Sequence, residues 1–207
     1  MPIELWLAFA AASAAFLAVP MGPTVMVVVG YALGQGRKTG WATVPGVTLG
    51  DFTAMTISLL GAGAVLAASA TLFTLLKLVG AAYLIWLGIR LWRAEPSAEV
   101  LAGKARGRGA MFWNAYAVTA LNPQSIMFFI AFVPQFVAAD RPLLPQFAIL
   151  EGTFLALAAL NVTLWAALAG TLHARLRRPA ILRLFNRVGG SVLIGSGLLS
   201  ATARQGG

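Results

Sequence analysis

The chain has 207 residues, of which 59% are hydrophobic and only 10% charged, whereas roughly a quarter of residues are charged in a soluble domain. At about 20 residues per spanning helix, this length holds about six membrane spans and leaves almost nothing for an attached soluble domain. No phosphate-binding loop of the Gly-Lys-Ser/Thr type is present, so nucleotide-driven pumping by this chain alone is not expected. The lack of cysteine excludes disulfides, thiolate metal sites and thiol redox chemistry. One histidine and six acids leave little for metal binding or proteolysis.

In chain order, apolar runs at 5–29, 41–68, 72–92, 111–137, 144–172 and 181–201 are each long enough to cross about 30 Å of hydrocarbon. The expectation is an all-α polytopic membrane protein with six transmembrane helices. A tight uncharged turn near 68–71 joins the second and third, which leaves open a count of five with one segment re-entrant. Glu4 precedes the first run and no basic segment does, so a cleaved signal peptide is not expected. Trp6, Trp41, Trp92 and Trp113 fall at span ends, as an aromatic belt requires.

The net charge of +9 is a topology signal before it is a nucleic-acid signal. Under six spans, Arg37, Lys38, Arg90, Arg93, Lys104, Arg106, Arg108, Arg175, Arg177, Arg178, Arg183 and Arg187 share one side, twelve of the fifteen cations. Basic residues in short loops mark the cytoplasmic face, which places both termini on the outer, periplasmic side. The long loop with Pro96 and several glycines reads as a cytoplasmic linker. The expected division is therefore 1–95, a linker at 96–110, and 111–207.

The two halves overlay. Pro23 in span 1 matches Pro123 in span 4, and Asp51 in span 2 matches Glu151 in span 5, with 28 residues from proline to acid in both. The segment 79–88 matches 188–197 at an offset of 109 rather than 100, which a longer loop accommodates. Three spans per half is an odd number, so matching helices cross in opposite senses. The expectation is the inverted repeat common among secondary transporters.

Pro20-Met21-Gly22-Pro23 and Asn122-Pro123-Gln124 lie within spans. Proline removes a backbone donor and clashes with the preceding turn, so both spans should break there. In hydrocarbon the freed carbonyls must find protein, water or ligand. Breaks at matching positions of two halves point to a substrate site, and Thr24, Asn122, Gln124 and Ser125 offer hydrogen bonds beside them. Asp51 is about ten residues into span 2, or roughly 15 Å deep at 1.5 Å per residue. Intramembrane acids are costly and normally face an internal cavity, so Asp51 suits a proton or a substrate ammonium group. Glu151 enters from the other face, either in the pathway or at the interface. Glycine pairs such as Gly46 and Gly50 permit close helix approach. Asn161 is divided between interhelical bonding and cavity lining, His173 reads as interfacial, and Lys77 as reaching for the surface.

Pro20-Met21-Gly22-Pro23, Gly36-Arg37-Lys38, Gly46 to Gly50-Asp51, Gly80-Ala81-Ala82-Tyr83-Leu84, Leu121-Asn122-Pro123 and Phe132-Val133-Pro134-Gln135-Phe136 resemble the LysE/RhtB family of amino-acid exporters in order and spacing. The resemblance runs from span 1 into span 6. It implies a small bacterial inner-membrane protein that expels amino acids or related metabolites, coupled to the proton gradient. Many members have Pro-Gly-Pro in span 1, where Met21 here gives a pattern closer to the lysine and arginine branch. Many also have Asn-Pro-Lys where this chain has Gln124, which removes an intramembrane cation. The Phe-Val-Pro-Gln-Phe string and the basic loop favour the homoserine, threonine and leucine branch.

The reading is a secondary transporter exporting a neutral amino acid by alternating access. Gly22, Pro23, Thr24, Asp51, Asn122, Pro123, Gln124 and Glu151 are its candidate substrate-binding residues. The expected partners are the amino acid, protons as coupling ion and the lipid bilayer, with a homodimer left open and no nucleic acid, metal or cofactor. The alternative is a metal-cation or other small-metabolite exporter or channel of the same superfamily, which would need several acids along one pore. An enzyme is not expected, because no nucleophile–base pair is present.

Overall fold

The computed structural model describes residues 1–18, 23–35, 41–93, 107–138, 140–176 and 179–202. The described residues are helical, with no strand among them. The helices are α1 (Ile3–Leu17), α2 (Pro23–Gln35), α3 (Val44–Ala68), α4 (Ala70–Arg93), α5 (Arg108–Ala120), α6 (Pro123–Phe132), α7 (Leu143–Leu176) and α8 (Pro179–Thr202). Short 3-10 turns, Trp41–Thr43 and Val133–Phe136, precede α3 and follow α6.

Among the described residues, α3 with its 3-10 turn, α4 and α7 are long and apolar enough to cross a membrane. The pair α5 and α6, bent by 48° at its break, makes a fourth if taken as one span. The apolar helix α1 is shorter. Exposed Leu60, Leu72, Val79, Trp86 and Leu160 give the bundle the apolar exterior that lipid requires.

Each break has a local cause. Ser69 adopts an extended conformation (φ −166°, ψ 123°) and its hydroxyl accepts the Leu72 N–H at 3.3 Å, so one residue ends α3 and caps α4. Asn122 caps α6, its side-chain oxygen accepting the Gln124 N–H at 3.1 Å. Pro123 occupies the first helical turn, where its missing donor and fixed φ cost nothing. At the far end of α6, the buried Gln146 donates to the carbonyls of Ala138, Arg141 and Pro142 and accepts the Ala138 N–H at 2.9 Å. It ties down the turn into α7.

Glycines set the tightest packing. A Cβ on Gly88 would lie 2.6 Å from the Gly190 carbonyl, and one on Gly190 the same distance from the Gly88 carbonyl. One turn-pair further, a Cβ on Gly197 would lie 2.7 Å from the Ala81 carbonyl. α4 and α8 therefore run antiparallel at backbone contact. Gly46 and Gly50 play the same part for α3 against α5, meeting the Phe112 carbonyl and the Thr119 side chain. α3 also packs on α4, α6 and α7, which puts Asp51 at the centre of the bundle.

The bundle has two distinct ends. Arg90, Arg93, Arg108, Arg183 and Arg187 gather at one, with the Arg90 and Arg187 guanidinium groups over the rings of Trp86 and Trp92 at 5.0 and 5.2 Å. The start of α1 lies at the opposite end, where the Trp6 indole N–H donates to the Thr153 hydroxyl at 2.9 Å.

Candidate functional site

The two interrupted segments lie side by side. The rings of Phe16 (α1) and Phe128 (α6) stack at 3.8 Å and 5°. Past the breaks, the hydroxyls of Thr24 (α2) and Thr119 (α5) are 3.2 Å apart, and the Tyr31 hydroxyl donates to Asn114 Oδ1 at 3.2 Å. α2 starts at Pro23 and α6 at Pro123, and the first turns of both border one cavity of about 120 Å³.

Every described helix except α5 contributes to its wall. Thr24, Asp51, Asn122, Gln124, Ser125 and Asn161 supply the polar groups, and Phe16, Leu87, Phe129, Phe154 and Leu193 much of the apolar remainder. Asp51 is buried, with 7% of its surface exposed, and its neighbour Gly50 locks that turn of α3 against α5. It brings the one carboxylate of the cavity, among the described residues. Asn122 is committed to its local bonds, capping α6 and donating to the Ser125 hydroxyl at 3.0 Å.

Of the residues singled out in the sequence, Thr24, Asp51, Asn122 and Gln124 thus share one cavity. Pro23 and Pro123 open the helices beside it. Glu151 does not line it: its Oε1 accepts the Thr56 hydroxyl at 2.6 Å, a bond from α3 to α7. Gly22, Met21, Arg37, Lys38, the 94–106 loop, Arg177 and Arg178 lie outside the described residues, as do the side chains of Pro23 and His173. Among the described residues, no three of the His, Cys, Asp and Glu side chains gather as a metal ion would require.

The apolar walls are not marked in the sequence, while Asn161, divided there between interhelical bonding and cavity lining, lies on the cavity wall. Phe154, Ala158, Asn161 and Val162 all face the cavity at intervals of four, three and one residue, the stripe that a helix presents to one side. That stripe is legible in the sequence once the helix is taken as one continuous span.

A carboxylate, several neutral hydrogen-bonding groups and an apolar wall can hold a small amphiphile with a cationic group. Two helices also begin at the cavity, and a helix N-terminus favours negative charge. Charges of both signs therefore find a counterpart there.

Residues 15–204 match the family model described as LysE type translocator. The chain is 34% identical over 205 residues to an uncharacterized membrane protein of Vibrio cholerae, covering 99% of this chain and all of that one. It is 31% identical over 206 residues to the homoserine/homoserine lactone efflux protein of Salmonella typhi, covering 99% and 100%. Against the leucine efflux protein of an Enterobacter species it is 30% identical over 126 residues, 59% of each chain. No solved structure matches.

Proposed function

Since the chain belongs to the LysE type translocator family and is a membrane transport protein, we propose that it exports a neutral amino acid of the homoserine, threonine or leucine kind from the bacterial cytoplasm, coupled to protons. The observation that carries this reading is the buried carboxylate of Asp51 facing a cavity between two helix breaks. Asp51 binds the substrate ammonium group or a proton in alternation. The first turns of α2 and α6 favour the substrate carboxylate, and the Phe16, Phe129 and Phe154 side takes the apolar side chain. Gly22 and Pro23 shape the first break, Thr24 and Gln124 supply neutral contacts, and Glu151 is the pseudo-symmetric counterpart of Asp51. Full-length similarity to a homoserine/homoserine lactone efflux protein supports the substrate class. A metal-cation exporter would need several carboxylates at the site, and the described cavity brings one.

The six-span inverted repeat draws support from the α4–α8 crossing. The offset of 109 maps Gly88 onto Gly197 and Ala81 onto Gly190. It therefore exchanges the contact of Gly88 with Gly190 for that of Gly197 with Ala81, and both contacts are present. An exchange of this kind is what a two-fold axis in the membrane plane produces. Thr53 and Thr153, 100 residues apart, each donate to the carbonyl four residues back, that of Leu49 and of Ile149. The basic end is the cytoplasmic one in this reading, with both termini periplasmic and the membrane the bacterial inner one.

Overexpressing cells are expected to accumulate homoserine, threonine or leucine in the medium, and purified protein in liposomes to release the same amino acid faster under an imposed pH gradient. Export of none of the three, or export indifferent to the gradient, would respectively remove the substrate class or the coupling. Reporter fusions after Gly207 and within 102–109 test the topology, and a cytoplasmic C-terminus would overturn it.

A further inference from the structure

Toward the end where α1 begins, the cavity gives way to a buried cluster with a column of phenylalanine rings at its heart. Its wall uses Val47 and Asp51 of α3, Leu87 of α4, Phe154 to Val162 of α7 and Leu193 of α8. None of these lies in the stretch of its helix nearest the end where α1 begins. That stretch is filled instead. Phe16 stacks on Phe128, Phe128 on Phe132 at 4.5 Å, and Phe132 packs on Phe9 and Phe136 at 5.5 and 4.8 Å. Phe9, Phe128 and Phe132 have no exposed surface.

The matching stretch beyond the other break is built differently. Five, six and nine residues after Pro123 come Phe128, Phe129 and Phe132; five, six and nine after Pro23 come Val28, Val29 and Ala32. Large rings plug one side, and small aliphatic groups occupy the corresponding places on the other. A second observation sits in the plug. The Ser13 hydroxyl, on the α1 turn between Phe9 and Phe16, is wholly buried with no hydrogen-bond partner among the described residues. In a seal that never opened, that oxygen would be a standing cost with no return. In a seal that parts, it meets water or cargo, and the open state is favoured by what the closed state lacks.

We infer that the Phe9, Phe16, Phe128, Phe132 and Phe136 column is the closed gate of the transport pathway at the end where α1 begins, and that Ser13 is the polar group uncovered when it opens. This rests on the transport reading above but not on the identity of the substrate. The rings of α1 and α6 belong to the two interrupted segments that flank the cavity, so tilting α1–α2 against α5–α6 unstacks Phe16 from Phe128 and opens the path.

The chain has no cysteine, so the thiol introduced by Thr24→Cys is a single reporter inside the cavity. A membrane-impermeant maleimide is applied to right-side-out and to inverted vesicles, presenting the two ends in turn. Adding Phe128→Ala with Phe132→Ala should raise the labelling rate from the α1-start end at least tenfold. Adding Ser13→Ala, which removes one oxygen and introduces nothing, should lower it at least threefold; labelling from the basic end should persist in both. If the phenylalanine variants fail to fold, the Ser13→Ala arm decides alone. An unchanged rate from the α1-start end in Ser13→Ala, or in folded Phe128→Ala with Phe132→Ala, overturns the gate. Labelling needs no substrate: the expected pattern without amino-acid export would leave the gate standing and refute the substrate assignment.

Discussion

Asp51→Asn separates binding chemistry from packing. The amide has the shape of the carboxylate, and the turn that holds it is fixed by Gly50 against Thr119 and the Tyr116 carbonyl, at 2.7 and 3.0 Å from where a Cβ would stand. The substitution therefore leaves the helix packing alone. It also removes a charge whose placement at a helix centre costs about 2.5–3.5 kcal/mol on insertion scales, so insertion and thermal stability should be equal or better. What it takes away is one charge-assisted hydrogen bond to the substrate ammonium group, about 1.5–3 kcal/mol. At 1.4 kcal/mol per tenfold, affinity should fall by about 10- to 150-fold. Titration of purified protein with amino acid measures that loss. Because Asn cannot exchange a proton, export from liposomes under a pH gradient should be abolished as well. Wild-type export under the gradient would reduce Asp51 to a packing residue and remove the coupling site.

Thr56→Val should leave the half-buried Glu151 without its donor from α3, a loss of about 0.5–1.5 kcal/mol read as a lowered thermal midpoint. Glu151→Gln keeps an acceptor at Oε1 and should lower the midpoint less, and it should reduce export less than Asp51→Asn does; equal effects of the two acids on export would remove the distinction between them. Gly88→Leu should force α4 from α8, since even a Cβ there stands 2.6 Å from the Gly190 carbonyl, and the destabilisation should reach or exceed the roughly 1–3 kcal/mol typical of overpacking. Gly195→Ala, with nothing within 4 Å of the new methyl, is the control and should stabilise by up to about 1 kcal/mol; similar losses in both would refute close packing at Gly88.

The sequence discloses what is local. The break at Asn122-Pro123 is written in two residues, because a capping side chain and a first-turn proline need only their neighbours. The turn near 68–71 proves to be a single extended serine for the same reason. Pairings between distant segments are not written that way. Nothing in the chain around Glu151 announces Thr56, 95 residues away, and nothing around Phe16 announces Phe128. Gln146 reads as one more polar residue at a helix start, yet it binds the backbone of Ala138, Arg141 and Pro142. Gly88, Gly190 and Gly197 were visible as small residues among 22 glycines, where only the crossing tells which of them carry a contact. Pro134 likewise sits in the 3-10 turn that ends α6, a role that its place in a family-like string does not announce.

The two acids show how a repeat can be broken to make one working site. Under the proposed offset of 100, Asp51 corresponds to Glu151 and Thr56 to Ala156. Glu151 has a hydroxyl donor from α3, while the matching residue of α7, Ala156, carries no hydroxyl and is exposed. A carboxylate held by a hydroxyl at 2.6 Å gives up that bond whenever it accepts another partner, so cargo or proton must compete with the protein for it. Asp51 lines the cavity, and among the described residues no side chain competes there with what binds. Even with matched positions the chemistry is thus uneven: one acid ties α3 to α7, and the other is left to the traffic. Releasing Glu151 from this bond takes one change, Thr56→Ala. In that background the export defect of Glu151→Gln should rise toward that of Asp51→Asn, measured as gradient-driven efflux from liposomes; an unchanged gap would mean that the cavity wall, and not the hydroxyl, decides which acid works.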